Sequence, residues 1–279
     1  MGKLRILKCG PITTIQDEGR FGYRKYGIPQ SGAMDQEMMH AVIELLGNSS
    51  ASPVIEFALA GLELEAIEDS TVAVLGADFA KNGVKQKSSF SALQAGDRLS
   101  VDPPRYVYAY LGIAGKLLCQ MTMNSYSTLL SAKLGGLDGR SLRKGDFLQT
   151  ESTSEVTALI TEPSRNYGEL LKLQMKAGPE WSVLRSEIET ISFAIGRASN
   201  RTGISLEGPI LKQIDFEMSS SSVIPGTIQL LPSGKLIVLM KDCQTTGGYP
   251  RIGQLMREDL SKLAQAKVGQ KVRFTHLNA

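Results

Sequence analysis

The sequence predicts a mainly β protein with a few short helices, in which the strands form two related β units. Short alternating runs of apolar and polar residues, separated by Gly-centred turns, fill residues 53–107. Apolar residues at helical spacing are confined to a few stretches, chiefly 34–46 and 255–264. Both halves open with a strand, a Gly-Pro pair and a polar loop, since Gly178-Pro179 echoes Gly10-Pro11. These observations favour barrels or sandwiches over alternating βαβ units.

The N-terminal region is predicted to run from a strand through a loop into a helix. Residues 4–8 alternate apolar and basic side chains, which is typical of a strand. Residues 13–23 are dense in Gly and polar side chains, and we predict a loop there with side chains available for binding. The apolar stripe over 34–46 predicts a helix, with Ser31 or Asp35 as its N-cap.

Strands are predicted for most of the remaining first half. Residues 53–113 contain successive β-type runs, and Asn82-Gly83 is a strong signal for a two-residue hairpin turn. Residues 127–134 predict a short helix. Ser, Thr and Glu become frequent between residues 150 and 168, and we place the linker between the two units there.

The predicted units are residues 1–160 and residues 161–279, and strands are free to exchange between them. The helix of the second unit is predicted over 255–264. A run of four serines at 219–222 is predicted as a loop. The strands of this unit are predicted at residues 171–175, 191–195, 200–206, 226–231, 235–240 and 268–277.

Composition indicates an ordinary soluble protein. The chain has 279 residues, of which 42% are hydrophobic and 21% charged. A net charge of +3 is too small to indicate a nucleic-acid or membrane partner, and no apolar run has the length of a membrane span. The three cysteines are far apart in sequence, which is typical of reduced thiols, so we expect a cytoplasmic location.

Several kinds of chemistry lack their motifs. The two histidines, His40 and His276, have no ligand-type neighbours in sequence, so we expect no metal site of the zinc type. Residues 112–116 resemble a phosphate loop but lack its spacing and its final Ser or Thr, and they predict a turn. Lys176 is followed by Ala177 where a biotin-carrying lysine usually has Met, so we expect no covalent biotin on this chain.

The stretch 235–250 is the strongest candidate for a binding site. An apolar strand runs directly into polar side chains beside Gly247-Gly248. Two consecutive glycines let a ligand approach the backbone closely, although a plain Gly-Gly turn is an equally good interpretation of these residues alone. Similar polar, Gly-rich loops occur at residues 16–20, 31–35, 199–203 and 207–209, and several such loops in one chain favour a convergent site.

Two groups of motifs extend over nearly the whole chain. The first consists of Gly10-Pro11-x-Thr13-Thr14-Ile15-Gln16-Asp17-x-Gly19-Arg20 and Gly27-Ile28-Pro29-x-Ser31-Gly32-Ala33-Met34-Asp35. The second consists of Ser199-Asn200-Arg201-x-Gly203, Leu206-Glu207-Gly208-Pro209, Gly226-x-Ile228-Gln229 and Val238-Leu239-Met240-x-Asp242-x-Gln244-Thr245-Thr246-Gly247-Gly248-Tyr249-Pro250. In these motifs the chain resembles the allophanate hydrolase subunit 2-like family, also called the biotin-dependent carboxyltransferase family.

The resemblance implies a fold, an activity and partners. It implies two cyclophilin-like β-barrel units and a role in an ATP-dependent 5-oxoprolinase, a hydrolase that opens the cyclic amide 5-oxo-L-proline to L-glutamate. The partners it implies are homologues of the A and B components of that enzyme. ATP is the implied cofactor, with Mg²⁺, and it is left open whether this chain or mainly the B component binds the nucleotide.

The resemblance also gives the motif residues provisional roles. Arg20 and Arg201 are the candidates for binding anionic groups, helped by Ser31-Gly32 at the helix start. Asp17, Asp35 and Asp242 are candidates for positioning water or a nucleotide-bound cation. Candidates for recognising the lactam amide are Gln16, Gln229 and Gln244. Further substrate-binding candidates are Asn200, Thr245, Gly247, Gly248 and Tyr249.

One departure from the family pattern stands out. The family segment Gly-Ser-Arg-Ser-Thr reads Asn124-Ser125-Tyr126-Ser127-Thr128 here, so that Tyr126 replaces a basic residue. Two alternatives therefore stay beside the 5-oxoprolinase interpretation. One is a non-catalytic regulatory protein that binds a kinase inhibitor homologous to the B component. The other is the carboxyltransferase part of a urea-type carboxylase, which would need biotin machinery from other chains.

Overall fold

The computed structural model describes residues 2–151, 162–184, 188–211 and 218–277, and the fold is mainly β, as predicted. Compact unit 1 comprises Met1–Arg20 and Ser31–Ser164, and compact unit 2 comprises Phe21–Gln30 and Arg165–Ala279. Most of the predicted linker, residues 152–161, lies outside the described residues, so the boundary drawn between 160 and 161 stays a prediction.

The first unit contains eleven strands and one α-helix in its described residues. The helix is α1 (Gln36–Leu45). The strands are β1 (Lys3–Lys8), β2 (Ile12–Gln16), β3 (Val54–Ala58), β4 (Leu62–Glu68), β5 (Ser70–Leu75), β6 (Phe79–Lys81), β7 (Val84–Lys85), β8 (Phe90–Leu93), β9 (Arg98–Val101), β10 (Tyr108–Ile113) and β11 (Phe147–Gln149).

These strands form two antiparallel sheets around one apolar core. One sheet has the order β11-β1-β4-β9-β6-β7 and the other the order β2-β3-β10-β5-β8. Side chains of both sheets, such as Leu4 and Ile6 of β1 and Phe57 of β3, share the core. Strand β10 is buried along its whole length because α1 packs against it and its neighbours β3 and β5. The described strands thus form two sheets here, where the sequence favoured a barrel or a sandwich.

The second unit has a seven-stranded closed barrel. Its order is β12-β19-β16-β17-β14-β13-β20, and the barrel closes through a parallel pairing of β12 with β20. A two-stranded ribbon pairs β15 with β18. The strands are β12 (Leu170–Ala177), β13 (Phe193–Ile195), β14 (Gly203–Glu207), β15 (Ser221–Ser222), β16 (Thr227–Leu230), β17 (Leu236–Leu239), β18 (Thr246–Gly247), β19 (Arg251–Leu255) and β20 (Lys271–His276).

The helices are few and short. The second α-helix is α2 (Arg257–Ala264), and 3-10 turns occupy Arg24–Tyr26, Leu130–Ala132, Trp181–Val183 and Ile188–Thr190. Residue 255 was predicted as the first of a helical stripe, but it is the last residue of β19. The helical spacing of apolar side chains begins only in α2, which starts at Arg257. None of the helices in the described chain is long and apolar enough to cross a bilayer.

Several local predictions were wrong. Ser221–Ser222, predicted as part of a loop, form β15, and only Leu130–Ala132 of the helix predicted over 127–134 is helical, as a 3-10 turn. A binding loop was predicted over residues 13–23, but residues 12–16 form β2, which pairs along its length with β3. The polar side chains of Thr13, Thr14 and Gln16 are all buried, so the polarity of this segment belongs to an internal network. The hairpin predicted at Asn82-Gly83 is confirmed, since both residues take positive φ between β6 and β7.

Candidate functional site

The polar loops predicted from sequence form one cluster in each unit, and each cluster is described by itself. The first-unit polar cluster consists of residues 16–20, 31–35 and 125–128, which lie at the end of β2, at the start of α1 and in a loop after β10. The second-unit polar cluster consists of residues 200–201, residue 229 and residues 242–249, on and around β14, β16 and β18.

Asp17 is the centre of the first-unit polar cluster. Its side chain is buried, and its carboxylate is surrounded by neutral donors. One oxygen, Oδ2, accepts from the backbone N–H of Tyr126 at 2.6 Å. The other, Oδ1, accepts from the hydroxyls of Ser125 (2.8 Å) and Ser127 and from the backbone N–H of Gly19 (2.8 Å). The carboxylate predicted to position water or a cation therefore ties the 125–127 loop to the end of β2.

Arg20 is fully buried as well. Its Nη2 donates to the carbonyl oxygen of Ser127. The guanidinium therefore faces the 125–128 loop, which also binds the Asp17 carboxylate. The close approach depends on Gly135, whose φ is +68° and where an added Cβ would collide with the Ser127 carbonyl and with Nη2 of Arg20. The arginine predicted to bind an anionic group is placed to organise protein backbone.

Gln16 and Ser31 converge on one carbonyl group. The side-chain amide of Gln16 donates to the carbonyl oxygen of Thr128 at 3.1 Å, and the Ser31 hydroxyl donates to the same oxygen at 3.2 Å. Oε1 of Gln16 is buried and has no hydrogen-bond donor among the described residues. Ser31 has a φ of +59° and Gly32 a φ of +101°, so the turn into α1 is tightly constrained.

Asp35 is the N-cap of α1, one of the two caps that the sequence allowed. Its Oδ1 accepts from the backbone N–H of Met38 at 3.1 Å. Its own N–H donates to the hydroxyl of Tyr110 at 2.8 Å, and that hydroxyl donates to Oε2 of Glu56 at 2.7 Å. Burial, together with the neighbouring carboxylates of Glu56 and Asp35, raises the pKa of Tyr110 well above its ordinary value, so the phenol remains a donor.

Arg201 and Asp242 form the charged part of the second-unit polar cluster. Nε of Arg201 lies 2.8 Å from Oδ2 of Asp242, and Nη2 lies 3.0 Å from Oδ1, which is a two-point contact. Both side chains are largely buried. Asn200, beside them, uses Oδ1 to accept from the backbone N–H of Thr202 at 2.7 Å, as in an Asx turn. The predicted anion-binding arginine and cation-positioning aspartate thus face each other.

Gln229 and the 244–249 segment form the uncharged part of this cluster. Nε2 of the buried Gln229 donates to the carbonyl oxygen of Tyr249 at 3.3 Å. The backbone of Thr245 accepts from Val223 at 3.1 Å, next to the β15–β18 ribbon that contains Gly247. Side chains at Gln244 and Tyr249, and the backbone at Gly248, are exposed. These exposed groups are the part of the cluster that a ligand can reach from solvent.

The segment that carries Gln244 is anchored by Arg24. Nη2 of Arg24 donates to the carbonyl oxygens of Val223 and, at 3.0 Å, of Gln244. Arg24 belongs to residues 21–30, which join the second unit although they precede most of the first unit in sequence. Gly27, in left-handed conformation, ends the 3-10 turn that contains Arg24.

A second ion pair of this unit was missed by the sequence reasoning. The guanidinium of Arg251 contacts Glu180 through Nε–Oε2 at 2.9 Å and Nη2–Oε1 at 2.7 Å. Hydrogen bonding to Arg251 holds the pKa of Glu180 below its usual range. The two residues directly follow Pro250 and Pro179, and that pattern of a charge after proline was the available signal.

Other missed residues belong to the first unit. Ser125 and Ser127 were noticed only as part of a family segment, although both bind Asp17. Glu56 had a clear signal, since it is the one charged residue within the apolar strand β3, and its Oε2 also accepts from the N–H of Met34 at 2.7 Å. His40, predicted to be structural or at the surface, contacts Glu18 through its Nε2.

The three carboxylates predicted to position water or a nucleotide-bound cation are engaged with groups of the protein itself. Asp17 is enclosed by protein donors, Asp242 faces Arg201, and Asp35 caps α1. Within the described chain, no three His, Cys, Asp or Glu side chains are grouped so that they could hold a metal ion. The arrangement of Asp17, Asp35 and Asp242 does not fit a shared Mg²⁺ site built from these three carboxylates.

Comparisons with known proteins agree on one family. A model described as carboxyltransferase domain, subdomain A and B, matches residues 26–276. The chain is 33% identical to the C component of 5-oxoprolinase from Escherichia coli over 288 residues, covering 97% of this chain and 90% of that protein. It is 35% identical to the C component of 5-oxoprolinase from Haemophilus influenzae over 285 residues, covering 96% and 89%.

Solved structures extend the comparison to longer proteins. The chain is similar to the crystal structure of the K. lactis urea amidolyase, with a TM-score of 0.90 and 25% identity over 99% of this chain. It spans 19% of that protein and 56% of another solved relative. The fold therefore recurs both as a separate chain and as part of larger enzymes.

Proposed function

The chain belongs to the carboxyltransferase domain family with subdomains A and B, and we propose that it is the C component of an ATP-dependent 5-oxoprolinase. The observation that carries the proposal is full-length similarity. Two proteins named as the C component of 5-oxoprolinase are 33% and 35% identical to this chain and are covered over 90% and 89% of their lengths. The match to urea amidolyases is weaker in identity and covers a small part of those proteins.

The proposed reaction opens the five-membered lactam of 5-oxo-L-proline to give L-glutamate. A lactam resists attack by water because its amide is resonance-stabilised. Transfer of the terminal phosphoryl group from ATP to the amide oxygen, with release of ADP, would activate the carbonyl carbon for attack by water. Cleavage of the ring C–N bond would then leave an acyl phosphate, whose hydrolysis gives phosphate and L-glutamate. The protein must bind the substrate carboxylate, orient the ring and stabilise charge as it develops on oxygen.

In this proposal the chain contributes binding and orientation, and homologues of the A and B components complete the enzyme. We assign ATP and Mg²⁺ mainly to the partner chains, a proposal supported by the engagement of Asp17, Asp35 and Asp242 with donors of this chain. Gln244 and Tyr249 are the proposed contacts that remain exposed. The proposed location of the complex is the cytoplasm.

The carboxyltransferase part of a urea-type carboxylase is the second candidate. It is favoured by the family description and by the TM-score of 0.90 to the K. lactis urea amidolyase. That function needs a biotin carboxylase and a biotin carrier from other chains. A third possibility, a non-catalytic regulator that binds a homologue of the B component, predicts a tight complex without turnover.

Co-expression with homologues of the A and B components tests the proposal. We expect 5-oxo-L-proline-dependent ATP hydrolysis and release of L-glutamate only when all chains are present. Gln244→Ala removes an exposed side chain and should lower kcat/KM about tenfold, the order expected for a substrate hydrogen bond. Arg201→Ala should abolish activity.

Controls separate a local effect from general damage. Gln94→Ala and Arg197→Ala change exposed residues of the same types and should leave turnover unchanged. Circular dichroism would show whether Arg201→Ala still folds, since that arginine also pairs with Asp242. A stable complex that turns over no 5-oxo-L-proline would overturn the proposal, as would full activity in the absence of this chain.

A further inference from the structure

A pocket of about 350 Å³ lies at the C-terminal end of α1, within the first unit. Its walls include Gly47, Ala51 and Ser52 from the loop that follows the helix, and Lys116 and Tyr126 from the segment after β10. A volume of this order is typical of small-molecule sites in proteins. None of the loops that the sequence predicted as binding loops lines it, and Tyr126 was identified in the sequence only as a departure from the family pattern.

The pocket is held by well-defined backbone structure. Helix α1 ends in a Schellman arrangement, with the N–H of Gly47 donating to Glu44 at 2.9 Å and the N–H of Asn48 donating to Ile43 at 3.0 Å. The Asn48 side chain then joins helix to strand, because Nδ2 donates to the carbonyl oxygen of Ile113 at 2.9 Å and Oδ1 accepts from Gly115 at 2.8 Å. The cavity is therefore preformed.

Tyr126 connects this pocket with the first-unit polar cluster. Its backbone N–H donates to Oδ2 of Asp17 at 2.6 Å, which fixes the position of the residue. Its side chain is 8% exposed and packs partly against the apolar core, and it also lines the pocket. Its hydroxyl makes no hydrogen bond to any of the described residues, so this donor is available to a ligand.

Lys116 supplies a positive charge at the same cavity. Its ammonium group has one ion-pair partner in the described chain, Glu151, at 3.8 Å, and both side chains are more than half exposed. Such a solvent-exposed pair is weak and is readily exchanged for a ligand carboxylate. A phenol donor and an ammonium donor together provide the chemistry that a small carboxylate requires.

The opposite side of the pocket offers acceptor and apolar groups. The carbonyl oxygen of Gly47, a residue that follows α1, accepts no hydrogen bond from the described residues, so an acceptor is available at this wall. Met121 and Ala51 add apolar wall. A bound molecule is thus favoured if it has a carboxylate at one end, an N–H donor at the other and methylene groups between them.

We infer that this pocket binds a small carboxylate that also carries an amide N–H, with the carboxylate facing Tyr126 and Lys116 and the N–H facing the Gly47 carbonyl. 5-Oxo-L-proline has this chemistry, and its identification as the ligand rests on the function proposed above. Tyr126, where the family pattern has arginine, is then a specificity-determining residue. It replaces a fixed charge by a neutral hydrogen-bond donor.

Binding to the full chain by itself tests the inference, with 5-oxo-L-proline and 2-pyrrolidinone as probes in calorimetry or ligand-observed NMR. The second probe has the same ring without the carboxylate and should bind at least about tenfold more weakly. Tyr126→Phe and Lys116→Met should each weaken 5-oxo-L-proline binding by about threefold to tenfold, the usual effect of losing one hydrogen bond.

Matched substitutions lie elsewhere on the surface. Tyr26→Phe and Lys144→Met should not alter binding, since both residues are exposed and outside the pocket. Undetectable binding of 5-oxo-L-proline, equal binding of both probes, or unchanged affinity of the Tyr126 and Lys116 variants would overturn the inference.

The assembled complex separates the failure of this inference from failure of the proposed function. Turnover with a normal KM in the Tyr126→Phe and Lys116→Met variants would contradict ligand binding in the pocket but would agree with the 5-oxoprolinase function. Specific binding in the pocket without any turnover by the complex would contradict the proposed function but would support ligand binding in the pocket. A raised KM at unchanged kcat would support both.

Discussion

In the first-unit polar cluster Asp17 is buried among hydroxyl and backbone N–H donors, whereas in the second-unit polar cluster Asp242 faces the guanidinium of Arg201. The first carboxylate is stabilised by several hydroxyl and N–H dipoles, which the surrounding structure holds in place. The second is stabilised by one opposite charge in a two-point contact, and the two side chains keep 10% and 13% of their surface exposed.

This difference suggests different roles, structural for the first-unit polar cluster and ligand-binding for the second-unit polar cluster. Donors that converge on a buried carboxylate lose their partner when it is removed, and leaving them unsatisfied is costly. An ion pair that keeps about a tenth of its surface exposed is screened by salt to a small extent, and a charged ligand can compete with one member for the other. We therefore expect the first-unit polar cluster to respond mainly in stability and the second-unit polar cluster mainly in ligand binding and salt dependence.

Asp17→Ala should have the largest effect on stability. It leaves the hydroxyls of Ser125 and Ser127 and the N–H of Tyr126 without their acceptor, so we expect a loss of about 3 kcal/mol in the free energy of unfolding. Urea titration would measure it. Asp102→Ala changes an exposed aspartate of the same unit and should stay within about 0.5 kcal/mol of the unsubstituted protein.

Gly135→Ala should be the next most damaging change. A methyl group there would displace the Ser127 carbonyl and the Arg20 guanidinium, and we expect a loss of about 2 kcal/mol. Gly145→Ala is the matched control, because Gly145 also has positive φ, +93°, but an added Cβ would have nothing within 4 Å. The control should lose about 1 kcal/mol. Equal losses in thermal or urea unfolding would show that the close packing around Arg20 contributes nothing.

Asp242→Asn should cost about 1 to 2 kcal/mol, because the amide keeps one acceptor for Arg201 but removes the charge. Raising NaCl from low concentration to about 1 M should shrink this loss by a small amount, since salt screens a largely buried pair less than a surface pair. The loss caused by Asp17→Ala should change little over the same range. Identical salt dependence of the two variants would remove the distinction between the clusters.

Glu180→Gln should have the smallest effect, a loss of under about 1 kcal/mol in the free energy of unfolding at neutral pH. Its pKa is lowered in the folded state by hydrogen bonding to Arg251, so the pair's stabilisation is fully present above the unfolded pKa, near 4.5, and is lost as pH falls through the lower folded value. Stability measured from neutral pH downwards should converge with that of Glu180→Gln in acid. A constant difference across that range would contradict the assignment.

The sequence predicted most of the fold because local patterns determined most of it. Alternation, the Asn82-Gly83 turn and the helical stripe of α1 each reflect forces that act within a few residues. β2 was mistaken for a loop because its polar side chains are buried and hydrogen-bonded inside the protein, and one of these bonds, from Gln16 to Thr128, spans 112 residues of sequence. The pattern of polarity alone does not distinguish a solvated loop from a buried polar strand.

The candidate site was predictable in composition but not in pairing. The sequence identified Arg201 and Asp242, yet nothing in their spacing shows that they face each other. It identified Tyr126 as a departure, yet the pocket that Tyr126 lines depends on the end of α1 and on Asn48. Such contacts arise from the tertiary fold, which is why the first and second clusters could be compared only after it was known.

The parallel pairing of β12 with β20 has a consequence for folding during synthesis on the ribosome. The two strands are separated by about a hundred residues, yet they are the pair that closes the barrel, with Leu170 opposite Lys271 and Met175 opposite His276. At roughly 5–20 residues per second, a ribosome synthesises β20 about 5–20 s after β12. The other partner of β12, β19, is also synthesised far downstream, so both edges of β12 stay unpaired until these strands have been made, and the barrel cannot close before β20 exists.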